Sequence, residues 1–325
     1  MPGERKLCER LQVSRDTLRA ALQELEREGT LGVSDRQCRR IKTKRAGLGD
    51  DAHHRVVALL SPASLQTISP RSMFVIDAVR DRLAKAGCVI ECHVSRSCFS
   101  AHPARALKKL VDDHPAAVWV VVGSKEPMQR WFMRHRLPLL VIGSCKAGIG
   151  LPSFDVDHRA ICRHAGDVLW RKGHRRIAIV LPQDAYEGET RSEEGLRESL
   201  RSRSDGLLRV LRHDGTTTHL CSLLDTAMRS PKPPTAYIVA RAVHALTVTM
   251  HLMRRGKRIP QDVAVISRDD DPFLQSTTPD VARYSINPAQ FARRVAMAAR
   301  QLSETGTLAP KAFRLIPKFI AGETV

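Results

Sequence analysis

Residues 2–31, PGERKLCERLQVSRDTLRAALQELEREGTL, carry their apolar side chains in a pattern that reads as two short helices. Leu7, Leu11, Val13, Leu18, Ala21, Leu22 and Leu25 recur at spacings of three and four, in two runs that part at Gln12-Val13-Ser14. Ser14 is placed to cap the second run, because its hydroxyl can accept from an orphan backbone N–H just ahead of Arg15-Asp16-Thr17. Two short helices joined by a tight turn make a helix-turn-helix, whose second helix can lie in the major groove. The face opposite the apolar stripe carries Arg15, Asp16, Thr17, Arg19 and Gln23, side chains able to reach base edges or phosphates. On pattern alone, an ordinary helical hairpin with a solvated charged face is the alternative.

The same stretch, written PGER-x-L-x4-L-x-V-S-R-x-T-L-R-x-A-L-x-x-L-E-x-E-G-x-L, resembles the signature of GntR-type winged helix-turn-helix regulators. The resemblance implies that the second helix is the recognition helix, and it assigns Arg5, Ser14, Arg15, Thr17 and Arg19 to DNA. It also implies a β-wing, with Leu31-Gly32-Val33 and Arg39-Arg40-Ile41 as its strands. Where the family has a Gly-rich wing tip, this chain has Ser34-Asp35-Arg36-Gln37-Cys38; Arg36, Arg39 and Arg40 are then the side chains that hold phosphates. Members of the family carry a further helix before PGER, whereas this sequence begins at Met1-Pro2. The expectation is therefore a reader over residues 1–42 with its first helix missing, either because the start lies upstream or because the reader is degraded.

Charge agrees with a nucleic-acid partner without requiring one. The 325 residues include 53 Lys+Arg against 34 Asp+Glu, a formal +19. Such a balance attracts polyanions in a salt-dependent way. Residues 1–50 hold 12 Lys/Arg and 8 Asp/Glu, so most of the excess lies beyond the reader, as in any generally basic soluble protein. No apolar run approaches the roughly eighteen residues needed to span a bilayer, and the N-terminus lacks the basic-then-apolar order of a signal peptide. The expectation is a cytoplasmic protein with no membrane partner. Of eight cysteines, Cys88, Cys92 and Cys98 cluster beside His93, but without the paired C-x-x-C spacing of structural zinc. CVIECHV reads instead as a strand with Cys88 and Cys92 on one face. Buried free thiols are expected, with no metal and no cofactor.

Residues 43–54 are polar and glycine-bearing and read as a linker. Beyond them, over 55–325, apolar runs alternate with amphipathic segments. Strands are predicted at 56–61, 88–94, 117–123, 139–143, 176–182, 207–211, 236–240 and 263–267. Helices are predicted at 73–86, 104–112, 127–135, 159–172, 193–201 and 243–255. Strands buried on both faces and separated by helices indicate an α/β fold of doubly wound parallel sheets. The length fits two lobes around a cleft, where ligands meet the carboxyl ends of strands.

Four stretches carry a second resemblance. KGHRRIAIV (172–180), RGKRIPQDVAVISRDDDPF (255–273), SFDVDHRAICRHAGDVL (153–169) and FRLIPKFIAGETV (313–325) resemble segments of the lactose/galactose repressor family. This implies a periplasmic-binding-protein-like sensor that dimerises and holds a small ligand, commonly a sugar, between its lobes. With the GntR-type reader it implies an arabinose-repressor-type architecture. The resemblance places Asp157 and Asp269 where that family bonds ligand hydroxyls, and Arg191 near its ligand arginine, one residue off in spacing from Gly195. The family's Ala-Asn-Asp helix start reads Ala240-Arg241-Ala242 here. If Arg241 faces the cleft an acidic metabolite is favoured over a sugar; if it turns away the pocket binds little.

There is no Walker-type phosphate loop, no dinucleotide fingerprint, no G-x-S-x-G elbow and no H-E-x-x-H pair. The expectation is therefore no enzyme. The reading is a ligand-responsive, sequence-specific DNA-binding regulator of repressor type, a homodimer on a palindromic operator of double-stranded DNA. A cytosolic small-molecule binding protein with a decayed reader, and less favoured an enzyme on an α/β scaffold, are the alternatives.

Overall fold

Ser14 sets where the first described helix begins. Its hydroxyl accepts from the Thr17 backbone N–H at 3.1 Å, and α1 runs from Arg15 to Arg27. Leu18 and Leu22 turn inward against Cys8 and Val13. Strands β1 (Leu31–Val33) and β2 (Arg39–Ile41) pair antiparallel, with Leu31 opposite Ile41 and Val33 opposite Arg39, as the wing reading expects. In this computed structural model the described residues are 8, 13–27, 31–33, 39–41, 56–64, 68–183 and 186–325. The chain divides into two units, Met1–Ala52 and His53–Val325. Arg5, Arg36 and the 43–54 linker read from sequence lie outside the described residues, save that β1 and β2 flank Arg36.

The second unit is two lobes of one design. The first lobe opens with β3 (Val56–Ser61), α2 (Pro70–Lys85), β4 (Val89–Val94), α3 (Ala104–Asp113), β5 (Val118–Val122), α4 (Glu126–Arg134), β6 (Leu139–Ile142) and β7 (Ser153–Val156). The second contains α5 (His158–Arg171), β8 (Arg176–Pro182), α6 (Glu187–Leu200), β9 (Leu207–His213), α7 (Thr217–Met228), β10 (Ala236–Val239), α8 (Ala242–Arg254), β11 (Ala264–Ser267) and β12 (Ala282–Ser285). The chain then returns to the first lobe through α9 (Pro288–Thr305) and β13 (Ala312–Leu315), and ends in the second with β14 (Lys318–Ile320). The sheet orders are β13-β7-β6-β5-β3-β4 and β14-β12-β11-β10-β8-β9. Within these two sheets every pairing is parallel except β12 with β14.

β3 is buried at all six positions, VVALLS, as a strand covered on both faces must be. Val57 and Leu59 face α2 and α9 in one core, while Ala58 and Leu60 face Trp119, Leu107 and Phe132 in the other. The second lobe repeats this, with Ile177 and Ile179 towards α5 and α6 and Ala178 and Val180 towards α7 and α8. Three chain crossings join the lobes, after β7, after β12 and after β13. Two of them are tied together where the Asp157 backbone N–H donates to the Leu315 carbonyl at 2.8 Å.

Most predicted elements appear within a residue or two of their expected bounds. Helix α6 starts six residues earlier than periodicity placed it, because the Glu189 carboxylate accepts from the Tyr186 backbone N–H at 3.1 Å and holds the first turn. Strands β7 and β12 carry Asp155 and Arg283 and so lack an apolar run to betray them. Cys88, Cys92, Cys98, Cys145, Cys162 and Cys221 are free thiols, as is Cys8; Cys92 is exposed rather than buried.

Helices α5 and α6 pack tightly enough to need glycine. A Cβ on Gly195 would lie 2.1 Å from the Arg159 carbonyl oxygen, a backbone atom that cannot swing aside. Gly195→Ala should therefore cost about 1–3 kcal/mol or more of unfolding free energy, read as a lowered urea midpoint; an unchanged midpoint would show that the helices can part without loss.

A second expectation concerns acid. At the end of β9, the His213 and His244 rings meet with centroids 4.2 Å apart. Burial, and then the neighbouring His244, push His213 down to about 4. The unfolded chain, with an ordinary imidazole, binds this proton more readily than the native state. The stability that His213 contributes is complete above about pH 6.5 and is lost as pH falls towards 4. Thermal unfolding of His213→Gln, followed between these limits, should show a flatter pH dependence than wild type; parallel profiles would exclude His213 as the source.

Candidate functional site

The reader presents an exposed helical face. Ser14, Arg15, Asp16, Thr17, Arg19, Gln23 and Glu24 are exposed on or just before α1, while Leu18 and Leu22 are buried. Thr17 is partly engaged: its hydroxyl lies 2.8 Å from that of Ser14, and its N–H donates to the same oxygen. The residues assigned to DNA in α1 thus divide into a cap, Ser14 with Thr17, and two arginines, Arg15 and Arg19, one turn apart on the open face. Gly32 pairs with Arg40 and Val33 with Arg39 across the wing ladder. Arg39 and Arg40 therefore sit on the second strand of this pair.

The sensor holds a cavity of about 760 Å³ between its lobes. The first lobe contributes the start of α2, with Ser69, Arg71 and Val75, together with Val122, Ile142, Asp155 and Phe291. The second contributes His158, Arg241, Ala242, Phe273, Tyr284 and the run Arg268–Asp271. Both sheets have the order in which the first-formed strand lies between the second and the third, and the cavity meets the loops that leave their carboxyl ends.

The polar wall is built around one buried cation. Arg268 follows β11, and its backbone N–H donates to the Val239 carbonyl at 2.8 Å, which fixes the residue against β10. Its side chain is 1% exposed. Nε donates to Asp269 Oδ1 at 2.9 Å, Nη1 to Ser192 Oγ at 2.9 Å, and Glu189 Oε1 lies 3.5 Å from Nη2. Burial opposes this charge, but the two carboxylates outweigh it and hold the guanidinium firmly protonated. Arg241 closes the group, donating to Glu189 Oε1 at 2.8 Å and lying 3.7 Å from Asp269. Burial alone would raise Asp269, yet Arg268 and then Arg241 bring its carboxyl below the usual range.

A second carboxylate reaches the cavity from the hinge. Asp155 accepts from Ser144 Oγ at 2.7 Å and from the Val156 N–H at 2.8 Å, with His158 Nε2 at 3.3 Å. Burial works against its charge, but His158, followed by the hydrogen bonds, lowers its pKa to about 2. Further along, Arg71 of the first lobe donates to Asp270 Oδ2 of the second at 2.8 Å, and to the Ile286 carbonyl. Asp271 is 1% exposed, and burial, with Asp270 beside it, raises its carboxyl. Its Oδ1 is among the described buried atoms without a hydrogen-bond partner.

Of the four residues that sequence assigned to the ligand, Arg241 and Asp269 come together on the cavity wall. Asp157 and Arg191 stand elsewhere. Asp157 is the N-cap of α5, its carboxylate accepting from the Ala160 N–H at 2.9 Å, and that bond turns it away from the cavity that Asp155 lines. Arg191 reaches back one turn to Glu187, at 3.4 Å. Sequence reasoning missed Arg71, Asp155, Glu189 and Arg268. A signal existed for Arg268, a charged residue standing directly between the largely apolar run 263–267 and three aspartates.

Further contacts bridge the lobes. Besides the Arg71–Asp270 pair, Lys146 lies 3.3 Å from Glu187, and the Lys125 ammonium sits 5.6 Å from the Tyr186 ring centroid.

Comparison with known proteins places these features. Residues 1–41 match the gntR family of bacterial regulatory proteins, and residues 167–325 match the periplasmic binding protein-like domain. The HTH-type transcriptional regulator AglR of Rhizobium meliloti (strain 1021) is 28% identical over 137 residues, which are 41% of this chain and 38% of that protein. The match thus spans well under half of that relative's own length. Among solved structures, a regulatory protein of the LacI family from Chloroflexus aggregans superposes with a TM-score of 0.73 at 17% identity, covering 84% of this chain and 99% of the other. A LacI family transcriptional regulator from Enterococcus faecium, with bound ribose, superposes with a TM-score of 0.69 at 17% identity, covering 83% and 98%. At such identities the likeness is one of fold. The chain thus resembles the gntR family of bacterial regulatory proteins over residues 1–41 and a periplasmic binding protein-like domain over residues 167–325.

Proposed function

We propose that the protein is a ligand-responsive transcriptional regulator that acts in the cytoplasm, represses from a palindromic operator as a homodimer, and releases or tightens its grip when a small molecule occupies the cleft. The observation that carries this reading is the union, in one chain, of a capped helix with an arginine-bearing open face and a two-lobed cleft whose lobes are bridged by ion pairs. Arg15 and Arg19 suit base edges and phosphates, and Arg39 and Arg40 on the wing strand suit the backbone. Arg5 and Arg36 complete the basic set that the resemblance implies. A ligand that binds one arrangement of the lobes better than the other shifts the spacing of two readers.

The chemistry of the cleft favours a neutral polyhydroxyl ligand over an acidic one. Arg241 faces the cavity, but Glu189 and Asp269 already neutralise it, and Arg71 is matched by Asp270. An anion would compete with carboxylates already in place. Hydroxyl donors, by contrast, meet Asp155, Asp269 and the unpartnered oxygen of Asp271, and the apolar walls of Val75, Ile142, Phe273 and Phe291 suit a sugar ring. The ribose held by the Enterococcus faecium neighbour makes neutral pentoses the first compounds to try.

Dimerisation is supported by two exposed apolar stripes, one on each lobe. Met73 and Phe74 of α2 are 41% and 55% exposed, and Val94, on the α2 side of the edge strand β4, is 56% exposed. Met250 and Met253 of α8 are 62% and 48% exposed. Contiguous exposed apolar side chains of this kind mark association surfaces.

Selection of genomic fragments by the purified chain at physiological salt should enrich a palindromic motif, and Arg19→Ala should weaken binding to it by about 1–3 kcal/mol without changing the melting temperature of the sensor. Retention of DNA without sequence preference, all of it removed by salt, would instead favour a small-molecule binding protein with a decayed reader. In thermal-shift measurements a neutral pentose or hexose should raise the melting temperature, and Asp269→Asn should remove that shift; stabilisation by sugar phosphates alone would reverse the assignment of ligand charge. Light scattering should give a dimer mass that Phe74→Glu combined with Met250→Glu reduces to a monomer.

A further inference from the structure

Away from the cleft, three potential metal ligands converge at the edge of the first lobe's sheet. Strand alternation turns Cys92 of β4 towards α2 and leaves Glu91 and His93 on the opposite side, the side of Trp119 and α3. His114, the residue that ends α3, arrives at the same place, with its own backbone N–H bonded to the Leu110 carbonyl at 3.0 Å. One donor atom from each of Glu91, His93 and His114 lies within 4.8 Å of the other two.

His93 is the fixed member. Its ring lies 5.7 Å from that of Trp119, which is 1% exposed, and 4.5 Å from that of His114. Its Nε2 is buried, lacks a hydrogen-bond partner, and is 3.6 Å from Glu91 Oε2. A buried ring nitrogen held beside a carboxylate, with a second imidazole next to it, is a donor set that suits a borderline cation. Glu91 is one-third exposed and His114 is exposed, so both can rotate to bring the donor atoms to the roughly 3.3 Å separation implied by metal–ligand bonds of about 2.0–2.2 Å. The carboxyl end of α3 also directs the negative pole of its helix dipole at this point.

We propose that Glu91, His93 and His114 form a binding site for a divalent transition metal of the zinc class. Two imidazoles and one carboxylate fill three positions, and the fourth stays open to water or to an outside ligand. The site is separate from the Cys88, Cys92 and Cys98 grouping that first draws attention in the sequence, and it uses no thiolate.

The full chain, stripped with a chelator and dialysed, is titrated with Zn²⁺ against a chromophoric indicator, and with Co²⁺ by absorption. The expected result is an equivalent of metal bound by wild type and by Cys92→Ser but lost in His114→Ala and weakened in Glu91→Gln. The Co²⁺ spectrum assigned to that equivalent should lack the intense near-ultraviolet band of a thiolate ligand. Failure of wild type to take up metal, equal uptake by His114→Ala, or a loss confined to Cys92→Ser would overturn the site. Far-ultraviolet circular dichroism of the two surface variants confirms that any loss is not one of fold.

Discussion

A guanidinium at the carboxyl end of a buried parallel strand has to be matched where it stands, and Arg268 imposes that requirement on the sensor. Two carboxylates from different elements, Glu189 on α6 and Asp269 on the loop after β11, meet it, with Ser192 supplying a further oxygen. Removing either carboxylate would leave Arg268 and Arg241 with one counter-charge between them, and an unbalanced buried charge costs about 3–5 kcal/mol in comparable pairs. The start of α6, the end of β11 and the start of α8 are therefore held in one arrangement. That arrangement also determines what the cavity can accept: Arg241, which would otherwise attract anions, is drawn into the same group by Glu189.

The lobes themselves are coupled by weaker means. Each of the three crossings is only a few residues long, and the lobes meet through Arg71 with Asp270 and through Lys146 with Glu187. Arg71 and Asp270 are both largely buried, so their attraction is little screened, whereas Lys146 is nearly half exposed and contributes less. Each lobe, by contrast, is packed on both faces of its sheet.

Much of this was legible in the sequence. Two-sided burial demands continuous apolar runs, so VVALLS, VWVVV and RIAIVLP announced their strands, and the helices between them followed from their stripes. Ser14 announced the start of α1 because a cap is a local interaction. Strands that carry charge were less visible. Asp155 and Arg283 break the apolar pattern of two short strands, and each is matched by groups from neighbouring turns, Asp155 by His158 and Ser144 and Arg283 by Asp280 and Asp270. The start of α6 and the place of Asp157 also went unread, since a carboxylate two residues away, Asp155, and not the matched one, faces the cavity.

By itself, then, the sequence determined the class of fold, the alternation of strand and helix, the capped start of α1 and the family resemblances, because these rest on periodicity, local hydrogen bonds and order along the chain. Only the tertiary structure decided which charged side chains share a site. Glu189, Arg241 and Arg268 are separated by up to 79 positions in sequence, and Glu91 and His114 by 23, yet each set meets within a few ångströms. Electrostatic pairing depends on distance in space and on exclusion of water, and neither is set by spacing along the chain.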